Sequence, residues 1–287
     1  MNTITENILA AVEQFALGIS VPLIYQQNDV KGVIGTGTLF KIAGRHFIVT
    51  AEHVVRGIAL DDLSFPLTPK AGQIHTFGVM DLHRIDRAGN DIAAEAAKLG
   101  VSAQELADAL DVAVVELKAP KTIERLEAGW TFCSLENVSL ELPATNERPF
   151  VLFGYPGQLG TNGVDKVTAA ITTAYLHKLD ETPAEAKRPI LPGIDLFLNY
   201  RGTPITPNKM TIQELTLPGT SGGSICTVSP VQGLWTPQQS LRIVAVQSSY
   251  RRQDFARGKR WRLATRILSG IDDTVATAVR GHFDLAS

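Results

Sequence analysis

The sequence predicts an all-β chain arranged as two antiparallel barrels, with a helix before them, a helix after them and one helical insertion. Three observations lead to this reading. From Val21 onward, short apolar runs alternate with turn residues, the texture of strands and their connections. Apolar spacing of three to four residues, the mark of a helix, is confined to 5–17, 90–109 and 264–279. No internal repeat, low-complexity tract or appended module divides the 287 residues, so 1–287 reads as a single unit.

In chain order, Thr5 caps a helix that sets Ile8, Leu9, Val12, Phe15 and Ala16 on one side, the pattern of a helix packed on a larger body. Strands follow at 21–25, 33–42, 46–50 and 77–82, with a turn at Ala43 and Gly44. Residues 91–110 form a helical insertion carrying Ile92, Ala96, Leu99, Leu106 and Leu110, broken at Gly100 and restarted by a Ser102–Glu105 capping box. A strand over 111–117 completes a first barrel (20–120), and 118–146 is a mixed connector rich in turn residues. Strands at 150–154, 167–175, 195–200, 224–228 and 241–248 form a second barrel (145–265). The segment 264–279 is a helix lying across the outside of that barrel.

Composition narrows the function. Hydrophobic residues make up 44% and charged residues 20%, the balance of an ordinary folded chain. The 27 basic and 29 acidic residues are scattered, leaving a net charge of -2 and no basic stripe that could neutralise phosphates, so nucleic acid is not an expected partner. No apolar run reaches the ~18–20 residues that a membrane-spanning helix requires. Residues 1–18 lack the basic start and continuous apolar core of a signal peptide, which makes a cytoplasmic protein the expectation. Cys133 and Cys226 lack metal-ligand spacing and read as two reduced, buried thiols.

Three strings carry chemistry. GTGTLFKIAGRHFIVTAEHVV (35–55) places His53 at the end of a buried strand. LDVAVVEL (110–117) sets Asp111 at the edge of an apolar strand, preferred to Asp108, which falls within the helical pattern. LPGTSGGSI (217–225) places Ser221 in a glycine loop that leads into a strand. A serine hydroxyl is a weak nucleophile until a base takes its proton, and an imidazole does this best when a buried carboxylate fixes its tautomer. The oxygen that gains charge during attack needs preorganised backbone N–H donors, which a tight glycine loop supplies. His53 is thus the candidate base, Asp111 its orienting acid and Ser221 the nucleophile. Gly219 and Ser221 would provide the oxyanion donors, with Thr220 setting the turn between them. His46, in the strand before, reads as a structural or surface side chain, and His75, His83, His177 and His282 have no partner at useful spacing.

The order His53, Asp111, Ser221, in TAEHV, DVAVV and GTSGGS, resembles the chymotrypsin/trypsin clan of serine peptidases over roughly residues 20–270. It is closest in tone to HtrA-like and other bacterial trypsin-like peptidases, here without a PDZ module. FGYPG (153–157) is similar to the segment that opens the second barrel in those proteins. The resemblance implies two six-stranded antiparallel β-barrels and a serine endopeptidase that cuts polypeptides through an acyl-enzyme, with no metal or cofactor. It also implies that Leu215 helps floor the substrate pocket and that Gln247, Ser248 and Ser249 line the strand on which a peptide pairs. Thr220 stands where animal members carry an aspartate, and Leu215 stands where a trypsin-like basic preference would expect an acid. Activation by clipping and a basic cleavage preference are therefore not expected, and control by a regulatory protein partner or ligand is. A catalytically silent, peptide-binding version of the fold is the alternative. The loop also fits the G-x-S-x-G elbow of α/β-hydrolases, but that fold places its acid and histidine after the serine, and only His282 follows it here.

Overall fold

The computed structural model describes residues 3–27, 30–69, 71–85, 90–143, 149–157, 161–162, 166–200, 218–229 and 235–285. Helix α1 (Thr3–Ile19) runs directly into β1 (Ser20–Gln27), β2 (Val30–Ile42) and β3 (Arg45–Thr50). Ala43 and Gly44, with φ of 50° and 76°, form the two-residue turn between β2 and β3, matching the twist of an antiparallel hairpin. The short helix α2 (Glu52–Val55) precedes β4 (Leu63–Pro66), β5 (Ala71–Thr76) and β6 (Met80–Arg84). The helical insertion is α3 (Asn90–Leu99) and α4 (Ala103–Leu110), separated by Gly100 at φ 68°. The Ser102 side chain accepts from Glu105 N while the Glu105 carboxylate accepts from Ser102 N, so the capping box is present in both directions. Strand β7 (Ala113–Leu117) and α5 (Pro120–Gly129) follow.

The second part contains β8 (Phe150–Gly154), β9 (Thr161–Asn162), β10 (Lys166–Thr168), β11 (Thr172–Leu176), β12 (Asp195–Asn199) and β13 (Ser224–Val228). After α6 (Pro237–Ser240) come β14 (Leu241–Arg251), β15 (Phe255–Arg260), α7 (Arg262–Ser269) and α8 (Asp273–Phe283). One sheet has the order β6-β7-β3-β2-β1-β4-β5-β10-β9 and the other β11-β8-β13-β14-β15-β12, with every named pair antiparallel. The ends of the second sheet meet through a bridge between Lys178 and Leu198, which curls it toward closure. This is the two-barrel architecture expected.

It differs from that expectation in detail. The first sheet has more than six strands, because β4 and β5, which lie outside the strands expected from the sequence, extend it and β9 and β10 join its edge from the second half of the chain. The single strand expected over 167–175 is therefore two, with β10 on the first sheet and β11 on the second. The expected terminal helix is also two, broken where Asp272 caps α8 by accepting from Thr274 N and Val275 N.

Strands that read as unbroken apolar runs are buried on both faces, each face feeding a different core. In β3, Ile48 packs inside the first barrel with Val21, Leu39 and Val115, while Phe47 and Val49 face a central core shared with the helices. In β8, Phe150 and Leu152 point into the second barrel, and Val151 and Phe153 into the central core. Helix α1 inserts Phe15 edge-on to Phe153, with ring centroids 6.3 Å apart. Cys133 and Cys226 are free buried thiols in the same central core, and burial pushes the Cys133 thiol up to about 12.

Candidate active site

His53 is carried by α2, immediately after the buried strand β3. Its Nδ1 lies 2.9 Å from both Oδ1 and Oδ2 of Asp111, and its backbone N–H donates to Oδ1 at 2.9 Å. Ser248 Oγ donates to Oδ2 at 2.6 Å. The Asp111 carboxylate is thus claimed from three directions, and it is buried, its side chain only 9% exposed. The His53 side chain is 43% exposed. Nδ1, facing the carboxylate, is the nitrogen placed to donate to it, and in a neutral imidazole with that tautomer the lone pair is on Nε2.

Asp111 does not open the strand as the sequence suggested. It ends α4 in the left-handed region, at φ 44° and ψ 45°, and the strand starts two residues later at Ala113. Aspartate tolerates this conformation better than most residues, and here it turns the carboxylate back toward α2.

The Ser221 loop is carried by the second sheet, between Pro218 and the start of β13. Gly219 and Gly222 take φ of 97° and 87°, and Gly223 N donates to Thr220 O at 2.8 Å, closing a tight turn around the serine. A Cβ on Gly222 would lie 2.1 Å from Thr36 O and Thr50 Oγ1 and 2.9 Å from Ala51 N. The loop therefore presses against the chain just ahead of His53. Thr36, on β2, makes the join: its N–H donates to Ser221 O at 2.8 Å and its Oγ1 donates to Gly219 O at 2.9 Å. Thr36 Oγ1 also accepts from Tyr155 N, and Thr36 O accepts from Thr50 Oγ1 at 2.7 Å. Sequence reasoning missed this hub, although a threonine between two glycines in GTGT was its only signal. No hydrogen bond joins Ser221 Oγ to His53 among the described residues, and the backbone N–H groups of Gly219 and Ser221 donate to no acceptor there.

The remaining predicted positions fall in different places. Leu215 lies outside the described residues. Ser248 and Ser249 line a cleft of about 670 Å3 beside His53 and Asp111. Gln247, also expected to line the substrate strand, is wholly buried, and its backbone N donates to Gly223 O while its O accepts from Gly222 N, both at 2.8 Å. Ser248 does more than line the cleft, because its hydroxyl is spent on Asp111. His46 lies 2.9 Å from Glu127, and His83 lies near Glu116, which already holds Arg45 and Lys118. Among the described residues no helix is long and apolar enough to cross a membrane.

No family model and no curated protein matches the chain. Solved structures do resemble it at low identity. One, from work on the coupled folding and binding of the disordered Sesbania mosaic virus VPg protein, is 14% identical, covers 85% of each chain and has a TM-score of 0.41. A scabies mite inactivated protease paralogue is 12% identical over 89% of this chain and 93% of its own, with a TM-score of 0.47. A thermostable serine protease from an extremophilic microorganism is 13% identical over 87% and 94%, with a TM-score of 0.45.

Proposed function

We propose that the chain is a serine endopeptidase in which Ser221 attacks the scissile carbonyl, His53 Nε2 takes its proton, and Asp111 orients the imidazole and stabilises its charged form. The observation that carries this reading is the His53–Asp111 pair, with Nδ1 held at 2.9 Å, the carboxylate fixed by two further donors, and the imidazole still open to a reactant. The Ser221 loop supports it, because it is packed against Ala51 and the N–H groups of Gly219 and Ser221 have no acceptor among the described residues, so they could receive an oxyanion. The proton would pass from Ser221 Oγ to Nε2 during attack and on to the leaving amine, after which water, deprotonated by the same imidazole, would release the acyl group. No metal or cofactor is called for in these steps. Catalytic hydrogen bonds in unliganded sites are commonly long, so the lack of a Ser221–His53 hydrogen bond among the described residues is compatible with this chemistry.

That missing bond equally favours a second reading, a silent peptide-binding version of the fold. A fluorophosphonate probe separates the two. Covalent labelling of the native chain and none of Ser221→Ala is the result expected; native protein that stays unlabelled would leave the binding module as the better reading.

A further inference from the structure

The cleft beside His53 runs between two walls and over the end of β14. On its β13 side, β14 is paired only as far as Val246, and Gln247 then holds Gly222 and Gly223, so the edge from Ser249 to Arg251 is open on that side among the described residues. A peptide that added to this edge in the antiparallel sense used throughout the sheet would reach Ser221 at its C-terminal end. The residues lying over Ser249–Arg251 would then precede the scissile bond.

The charges around this cleft are unevenly spent. On the α4 wall, Glu105 accepts from Ser102 N and Oγ at 2.8 Å, and Asp108 pairs with Arg56 at 2.9 Å. On the facing wall, Glu185 pairs with Arg251 at 2.7 Å. Beneath the floor, Asp195 takes Arg257 Nε at 2.9 Å and Lys259 Nζ at 2.6 Å. Every one of these carboxylates is engaged. Lys187 and Arg188 line the same cleft, are exposed, and have no acidic partner among the described residues. Their backbone is fixed from below, since Arg257 Nη1 donates to Lys187 O and its Nη2 to Pro189 O, both at 2.8 Å. Two uncommitted cations on a pinned segment form a preorganised acceptor for negative charge.

We propose, on the reading of this cleft as the substrate site, that Lys187 and Arg188 select polypeptides with an acidic side chain among the residues preceding the cut. Peptides differing only in Asp, Asn or Lys at those positions test it in two ways, by hydrolysis with the native chain and by fluorescence anisotropy with Ser221→Ala. Asp peptides are expected to be cleaved and bound about tenfold better than their Asn counterparts, an advantage that fades as salt rises. The pair Lys187→Glu/Arg188→Glu should reverse the order toward Lys peptides, and Lys187→Gln/Arg188→Gln should level it. Equal handling of Asp and Asn, or an Asp preference that survives charge reversal, would overturn the proposal while leaving the peptidase reading intact. Charge-dependent binding without any hydrolysis would support the selection and count against the peptidase reading.

Discussion

Asp111 holds two partners with one buried carboxylate, His53 through Nδ1 and the backbone and Ser248 through its hydroxyl. An amide at this position would offer one acceptor oxygen and two protons, so Asp111→Asn would leave the imidazole in the wrong tautomer. The expected fall in kcat is about 10^4-fold, with the thermal midpoint nearly unchanged. Ser248→Ala removes a donor without touching the imidazole directly. It should lower kcat by an amount corresponding to about 1.5–3 kcal/mol, with KM close to native; a change in KM alone would mean that Ser248 serves substrate and not Asp111. The pairing of His53 with Asp111 was legible because the strings around them are local. The part played by Ser248 was not, since its partner lies 137 residues away and nothing in VQSS distinguishes a hydroxyl facing a peptide from one facing a carboxylate.

Strand β15 shows why some elements escape a reading of the sequence. FARGKR carries three cations in six residues, the opposite of an apolar strand, yet Arg257 and Lys259 are buried because Asp195 on the neighbouring β12 accepts from both. Burial pushes the Lys259 ammonium down to about 8 even though Asp195 beside it opposes the shift. Asp195→Ala would strand two buried cations and should cost about 3–5 kcal/mol in urea unfolding; a loss below about 1 kcal/mol would show that the pairing is not structural. Helix α5 escaped for a different reason. Only Thr122 and Leu126 are buried, so its apolar stripe is too thin to stand out from a connector. By contrast β8 and β13 were read with their exact limits, because apolar residues fill both faces and turn residues close both ends.

At the scale of the molecule, the two halves and the terminal helices are tied together by side chains as well as by the central core. Arg45 on β3 holds Glu116 on β7 and also reaches Asp272, the cap of α8. Burial alone would raise the Glu116 carboxyl, but hydrogen bonds from Arg45 and Lys118 outweigh it and bring it down to about 2 from its ordinary 4.5. A carboxylate lowered by folding stabilises the folded chain above its unfolded value and loses that contribution as pH falls toward the folded one. Thermal midpoints of the native chain should therefore drop between about pH 4.5 and 2, and Glu116→Gln should flatten that part of the curve; parallel curves would mean that other groups govern acid unfolding. The two-barrel plan sets His53 and Asp111 beside the first sheet and the Ser221 loop on the second, and β2, through Thr36, clasps that loop; in the proposed chemistry this join brings the reacting groups together. The most direct test of that meeting is intact-mass and peptide-map analysis of the chain mixed rapidly with an activated ester and quenched in acid. The proposed chemistry predicts a stoichiometric acyl adduct on Ser221 that is absent from both Ser221→Ala and His53→Ala. Ester turnover with no adduct on Ser221, or an adduct that forms equally well without His53, would contradict it.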